Sequence, residues 1–150
     1  MYFVDKRKIE AILTYMEELL AAEMPPSEEL SGKLAAERRA QLLIEGILDT
    51  GNSVIDGFIM RDPGSYDDII DILADEQVIA EHTAPAFKEI IALRKMLTGD
   101  YLHVNHQKLA GTMAKHLDLL RLYVEWVRAY LVNETRTASA FARSSDDESL

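Results

Sequence analysis

The sequence predicts an all-α protein, an antiparallel bundle of four long helices and one short helix. Apolar residues recur at intervals of three and four over long stretches, which is the period of one helix face. No stretch shows the two-residue alternation of a half-buried strand, and no internal repeat period is present. The 150 residues suit one domain with a single apolar core. These patterns together favour a helical bundle.

The first two predicted helices are long and are separated by two prolines. The first covers about residues 5–24, and Pro25 and Pro26 end it because proline lacks the amide hydrogen that a helix interior needs. The second covers about residues 31–60 and becomes almost wholly apolar in its second half. Polar side chains at spacings of four and three share one face of this helix, namely Glu45, Asp49 and Asn52. Glycines in the same stretch permit close packing, namely Gly46, Gly51 and Gly57.

The second half of the chain contains the short helix and the other two long ones. Pro63 and Gly64 break the chain, and Ser65 with Asp68 fits a capping box at the start of the short helix. The fourth helix covers about residues 81–97, with Pro85 tolerated in its first turn. The last helix covers about residues 106–133. We therefore expect a helical domain over residues 1–134 and a disordered acidic tail over residues 135–150.

Composition excludes several classes of function. The chain has no cysteine, so it has neither disulfides nor thiolate chemistry. It shows no secretory signal and no run of the roughly 18 apolar residues that a membrane span requires, so a cytoplasmic protein is expected. The net charge of -10 argues against indiscriminate nucleic-acid binding. Residues 85–121 nevertheless carry six lysines and arginines against three carboxylates, which favours either a local anion site or ordinary solvated helix faces.

Two groups of residues in this cationic segment could carry chemistry. Arg94 lies at the end of an apolar helix and can offer its guanidinium to two phosphate oxygens, but spacing alone favours an ion pair with Glu45 or Asp49. His103 and His106 are three residues apart with Asp100 nearby. That cluster falls short of the three or four convergent ligands of a metal site, so exposed or capping histidines are the simpler interpretation. No metal or cofactor is predicted.

The segment RKMLTGDYLHVN, residues 94–105, provides a family resemblance. It resembles the site motif RNxLVHxYxxVD of the HepT-like branch of the HEPN superfamily, and most closely that of its small YutE-like bacterial members. Arg94, Leu97, Tyr101 and Val104 match in register. The opening MYFVDKRKIE and the stretch from residue 36 to residue 73 also resemble this family, so the similarity covers roughly residues 2–131.

The resemblance implies a fold, partners and a site. HEPN proteins are helical and usually dimeric, and two site segments meet across the dimer. Active members are metal-independent endoribonucleases that use an arginine and a histidine, and HepT members are toxins paired with a nucleotidyltransferase-type antitoxin that can adenylylate the motif tyrosine. The residues that the resemblance implicates in catalysis are Arg94 and Tyr101, and His103 is the histidine available as a substitute proton carrier.

The departures from the motif bear directly on catalysis. The family histidine is replaced by Gly99 and the family asparagine by Lys95. Cleavage through a 2′-hydroxyl needs a group that moves a proton and a cation that stabilises charge on phosphorus. Glycine cannot move a proton, and losing a general base commonly reduces the rate roughly 100- to 10,000-fold. Asp100 lies beside the missing position, but a carboxylate is a weaker proton acceptor than an imidazole.

Three hypotheses follow. The first is a HepT-like ribonuclease toxin whose altered site still cleaves RNA, with Arg94 on the scissile phosphate. The second is a non-catalytic helical dimer that binds RNA, a nucleotide or a partner protein in the same groove. The third is an interaction domain that uses only its dimer face. The family resemblance favours the first, whereas loss of the proton carrier at Gly99 favours the second.

Overall fold

A computed structural model of the chain describes the backbone of residues 4–148 and the side chains of residues 4–134. Its α-helices are α1 (Lys6–Ala21), α2 (Leu30–Gly57), α3 (Tyr66–Asp75), α4 (Ala84–Thr98), α5 (His106–Lys115) and α6 (Leu117–Glu148). Short 3-10 turns cover Glu81–Thr83 and Tyr101–His103. No strand occurs between residues 4 and 148, and the predicted all-α class is confirmed.

The four predicted long helices are α1, α2, α4 and α6, but two ten-residue helices accompany them instead of one. The prediction of a single last helix over residues 106–133 was wrong, because α5 ends at Lys115 and α6 begins at Leu117. His116 lies between them, buried, with its Nε2 3.0 Å from Glu89 Oε2 on α4. This contact across the bundle accompanies the break, which neither a glycine nor a proline marks in the sequence.

The last helix also extends further than the composition predicted. The backbone of α6 is helical as far as Glu148, and so it includes most of the segment expected to be a disordered tail. Alanine has the highest helix propensity of all residues, and three alanines occur in this segment, namely Ala138, Ala140 and Ala142. The division of the chain after residue 134 stays a prediction, and residues 149 and 150 lie outside the described residues.

The core is built around α2, which contacts α1, α3, α4 and α5, while α6 packs against α1 and α5. Two predicted glycines permit these close approaches. A Cβ on Gly46 would lie 2.7 Å from Met16 Sδ on α1, and one on Gly51 would lie 2.8 Å from Ile69 Cγ2 on α3. Every helix contributes fully or nearly buried apolar side chains, among them Leu13, Ile44, Leu73, Phe87, Met113 and Val127.

A buried hydrogen-bond network joins the middle of α2 to α6. The hydroxyls of Thr50 and Tyr123 lie 2.6 Å apart, and both side chains are fully buried. Thr50 donates to the Gly46 carbonyl at 2.7 Å, which leaves the single Tyr123 proton to donate to Thr50 Oγ1 or to the Ile47 carbonyl, 3.1 Å away. Burial raises the pKa of Tyr123, so the phenol stays protonated and serves as a structural donor.

The helix ends show one expected feature and one unexpected one. Ser65 Oγ accepts a hydrogen bond from the Asp68 amide at 3.1 Å, as predicted, but the Asp68 carboxylate binds Arg61 and the Gly64 amide instead of completing the capping box. Both α2 and α3 end in a left-handed residue that is not glycine. These residues are Ile59 at φ 54° and Gln77 at φ 60°, and the closing bonds run from Met60 to Ile55 and from Val78 to Leu73.

None of the helices in the described part of the chain combines the length and the hydropathy needed to cross a bilayer.

Candidate functional site

A surface cleft of about 600 Å³ lies where the start of α3 meets the C-terminal half of α4. The α3 side contributes residues 65–67, which hold the N-cap Ser65 and the half-exposed ring of Tyr66. The α4 side contributes one stripe of the helix at spacings of three and four, since its lining residues are Ile91, Ala92, Arg94, Lys95, Thr98 and Gly99. We refer to this feature as the Arg94 cleft.

Arg94 is held in place from two directions. Its Nε donates to Glu45 Oε1 on α2 at 2.7 Å, and its guanidinium carbon lies 4.9 Å from the centre of the Tyr66 ring. The bond to Glu45 raises the pKa of Arg94, so the group is cationic at every physiological pH. The ion pair predicted from spacing is therefore confirmed, with Glu45 as the partner.

The pairing leaves part of the guanidinium available. The Arg94 side chain is 30% exposed and lines the cleft, and its two terminal nitrogens donate to no acceptor among the described residues. Because Nε carries the bond to Glu45, the terminal pair can still approach two oxygens of one anion. The site is thus an arginine fixed by its neighbours in the wall of a concave surface.

Much of the positive charge predicted for residues 85–121 is neutralised by ion pairs. Lys88 pairs with Asp71 at 2.7 Å, and Lys115 lies 3.5 Å from Glu89. Arg121 pairs with its own helix neighbour at 2.9 Å. Lys95 is exposed in the cleft and has no ion pair within the described side chains. Within the described side chains, Lys95 and Lys108 have no ion pair, and the cleft itself contains the paired Arg94, the unpaired Lys95 and one lining carboxylate, that of Asp67.

Tyr101 and His103 lie on the exposed 3-10 turn that follows α4, and neither lines the cleft within this subunit. Tyr101 is 66% exposed, and the side chain of Leu102 beside it is 78% exposed. The turn is fastened through its backbone, because the His103 amide donates to the Asp100 carbonyl at 2.9 Å. The Asn105 amide contacts Met96 Sδ at 3.3 Å. The structure therefore brings together Arg94 and Gly99, but not Arg94 with Tyr101 or His103.

Gly99 forms the end of α4 at the rim of the cleft. Its amide donates to the Lys95 carbonyl at 2.9 Å, and its φ of -104° is open to any residue. A Cβ there would meet only that carbonyl oxygen, at 3.1 Å. Backbone conformation therefore does not require glycine here, and a side chain at this position would stand beside the cleft.

The histidines do not gather around a metal. His106 Nε2 pairs with Glu37 Oε2 at 3.0 Å, and His116 pairs with Glu89. Among residues 4–134, no three side chains of the metal-binding types converge.

Tyr66 is the site residue that sequence reasoning missed. It starts α3, a helix that the sequence pattern identified only by its cap and its isoleucines. Its contact with Arg94 joins residues 28 positions apart and depends on how α3 crosses α4. No local spacing signals such a contact.

Comparisons with known proteins place this chain in a family. A family model described as Ribonuclease HepT-like matches residues 6–127. The candidate RNase YutE of Bacillus subtilis (strain 168) is 47% identical over 143 residues, which is 94% of this chain and 99% of the relative. A solved structure of B. subtilis YutE, described as a cytosolic protein of unknown function, matches with a TM-score of 0.86 and 46% identity. It covers 89% of this chain and 95% of that one.

More distant solved structures share the fold alone. A Shewanella oneidensis HEPN toxin, tri-AMPylated and in complex with an MNT antitoxin, matches with a TM-score of 0.65 and 16% identity. The match covers 82% of this chain and 92% of that one. The family model spans most of the helical bundle, and YutE is similar over nearly its full length. This chain therefore belongs to the ribonuclease HepT-like family.

Proposed function

We propose that this chain is the RNA-binding, toxin-side component of a toxin–antitoxin pair, and that its Arg94 cleft holds an RNA phosphate. The observation that carries the proposal is the state of Arg94. Glu45 and Tyr66 fix the guanidinium in the wall of the cleft, while its terminal nitrogens have no protein acceptor among the described residues. Similarity to YutE, which is named as a candidate RNase, supports RNA as the ligand.

A guanidinium suits a phosphate better than a cation that acts as a single point charge would. Two parallel N–H groups of one guanidinium can bind two oxygens of a phosphodiester, which sets its orientation as well as its position. The contacts with Glu45 and Tyr66 restrict the rotamers of Arg94 in advance, so binding orders fewer side-chain torsions. Lys95 adds a second exposed cation on the same wall.

Cleavage needs one component that the cleft lacks. The arginine can stabilise negative charge that develops on phosphorus, but the 2′-hydroxyl proton must move to a base. The residue in the family histidine position is Gly99, and the lining residues of the cleft include no histidine. Binding without efficient cleavage is therefore the function that this geometry supports best.

A ribonuclease is the second candidate, and one observation favours it. His103 is exposed on the turn that follows Gly99, and it is not engaged by any described side chain. In a homodimer, which we propose from the family resemblance, this turn of one protomer would face the cleft of its partner. His103 would then accept the 2′-hydroxyl proton as the 2′-oxygen attacks phosphorus, and Arg94 would stabilise the phosphorane. The P–O5′ bond would break, and the leaving 5′-oxygen would take a proton from solvent.

The proposed location of the protein is the cytoplasm.

Tyr101 is the proposed point of control. Its ring is 66% exposed on a turn held by backbone hydrogen bonds, so a second protein can reach the phenol. We propose that a nucleotidyltransferase-type antitoxin transfers AMP from ATP to this oxygen, with pyrophosphate leaving and the phenolic proton passing to a base. The fold shared with the AMPylated Shewanella toxin supports this assignment.

The test compares binding and cleavage of single-stranded RNA by the purified protein in the presence of a metal chelator. Arg94→Ala should weaken binding at least about tenfold, since a charge-assisted bidentate contact is worth roughly 1.5–3 kcal/mol. Arg121→Ala is the matched control, because Arg121 is an exposed arginine that pairs with Asp118 outside the cleft. Its binding should stay at the wild-type level.

The outcomes separate the two candidates. Binding that is lost in Arg94→Ala without cleavage by the wild type supports the proposal. Cleavage that Arg94→Ala and His103→Ala both abolish supports the ribonuclease. Neither binding nor cleavage by the wild-type protein overturns both. Gain of cleavage by Gly99→His would show that the proton carrier was the missing component.

A further inference from the structure

A second, smaller cleft lies at a different part of the bundle and has a different chemical character. It has a volume of about 230 Å³ and is enclosed by the α1–α2 turn, the start of α2, α5 and the start of α6. Its walls are mainly apolar, and they include Met24, Pro25, Leu109, Met113 and Leu117. It shares no lining residue with the Arg94 cleft. Arg39 on α2 is the charged residue in its lining, and we refer to this feature as the Arg39 cleft.

Arg39 differs from the other arginines whose pairing the structure describes. Arg61, Arg94, Arg121 and Arg128 each bind a carboxylate at 2.6–2.9 Å. Arg39 is half-buried, yet within residues 4–134 its guanidinium has neither a carboxylate nor another hydrogen-bond acceptor. Burial lowers the pKa of Arg39, because the apolar surroundings disfavour its charge and no anion compensates.

The carboxylate nearest in sequence is already engaged. Glu37, two residues before Arg39 on α2, binds His106 at the start of α5 at 3.0 Å. The cleft itself therefore presents one cation and no lining carboxylate, on a protein whose net charge is -10. A part-buried charge without a protein partner is partly desolvated, and a ligand that supplies the opposite charge would compensate for this.

We propose that the Arg39 cleft binds a small organic monocarboxylate with an apolar body. The guanidinium would receive the carboxylate through two parallel hydrogen bonds, and the methionine and leucine side chains would cover the body of the ligand. The volume of about 230 Å³ is below the range of roughly 300–1,000 Å³ that is usual for drug-sized ligands, which favours a short-chain or single-ring acid over a nucleotide. This site is independent of the proposed RNA cleft.

The experiment titrates the full-length protein with octanoate and 4-phenylbutyrate and measures heat release and the shift in melting temperature. Two control ligands test the contributions of the apolar body and of the carboxylate separately. Octanol has the apolar body without the charge, and acetate has the charge without the body. We expect saturable binding of the two acids, and binding at least about tenfold weaker for both controls, which corresponds to about 1.4 kcal/mol.

Three variants locate the site. Arg39→Gln should weaken octanoate binding at least about tenfold while leaving the fold intact, because it removes a group with no partner among the described residues. Arg38→Gln is the control, since Arg38 is the exposed neighbour and lies outside the lining. Ala36→Leu places added carbons in the cleft and should also block binding. Failure of both acids to bind, or acid binding that survives Arg39→Gln and Ala36→Leu, would overturn the proposal.

Discussion

The turn between α1 and α2 makes a sharp prediction about Gly32. A Cβ built on Gly32 would lie 1.7 Å from the Pro26 carbonyl oxygen and 2.5 Å from its carbon, whereas ordinary contacts begin near 3.4 Å. The obstacle is backbone, so no side-chain rotation relieves it. Gly32→Ala must therefore displace either the turn or the start of α2.

The expected cost follows from this overlap. Overpacking of this kind typically destabilises a protein by about 1–3 kcal/mol, and the better helix propensity of alanine offsets up to about 1 kcal/mol. We expect Gly32→Ala to lower the free energy of unfolding by about 1–2 kcal/mol net. For a chain of this length, 1 kcal/mol corresponds to a shift of roughly 2–4 °C in Tm.

Gly111 provides the matched control. It is exposed in the middle of α5, and a Cβ there would meet no described atom within 4 Å. Gly111→Ala should therefore stabilise the protein by about 0.5–1 kcal/mol through helix propensity alone. Urea and thermal unfolding followed by circular dichroism measure both variants. If Gly32→Ala were as stable as the wild type, the close contact described between Gly32 and the Pro26 carbonyl would be refuted.

Three other perturbations test separate features of the fold. Tyr123→Phe removes the hydroxyl bonded within the Thr50 network and should lower the free energy of unfolding by about 1–2 kcal/mol, measured by urea denaturation. Ile59→Asn should raise it by about 0.5–1 kcal/mol, because Ile59 is 69% exposed and asparagine tolerates its left-handed backbone better. Arg61 and the Gly64 amide lower the pKa of Asp68 from 3.8 to about 2, so this carboxylate stabilises the fold above pH 4 and loses its contribution as the pH falls toward 2. The stability difference between the wild type and Asp68→Asn should shrink across that interval, and a constant difference would contradict the assignment.

Sequence periodicity predicted the helices well because each long helix buries a continuous apolar stripe. It could not predict the break between α5 and α6, since the stripe from Leu109 to Leu131 is continuous and His116 is an ordinary helix residue in isolation. The break accompanies a contact with Glu89, 27 positions away. The ends of α2 and α3 were also hard to predict from the sequence, because Ile59 and Gln77 occupy left-handed positions where glycine is the usual residue.

The candidate site was predictable in part. Charge and helix faces were enough to suggest that Arg94 pairs with Glu45 or Asp49, and the structure shows Glu45 as the partner at 2.7 Å. Stacking on Tyr66 could not be anticipated, because it depends on the crossing of α3 and α4. The role of Tyr101 comes from the motif resemblance, whereas His103 is only a substitute for the missing motif histidine. Both roles stay predictions that the experiments address.

The ion pair of Arg94 with Glu45 also determines how strongly ionic strength would affect phosphate binding in the cleft. In ordinary nucleic-acid binders, each unpaired cation that meets a phosphate releases condensed counterions, and affinity falls steeply as salt rises. Here the arginine already has a carboxylate at 2.7 Å, so an arriving phosphate would meet a nearly neutral pair instead of a free charge. Attraction would then depend mainly on hydrogen-bond direction within the cleft, and the logarithm of the binding constant would decline only shallowly with the logarithm of salt concentration.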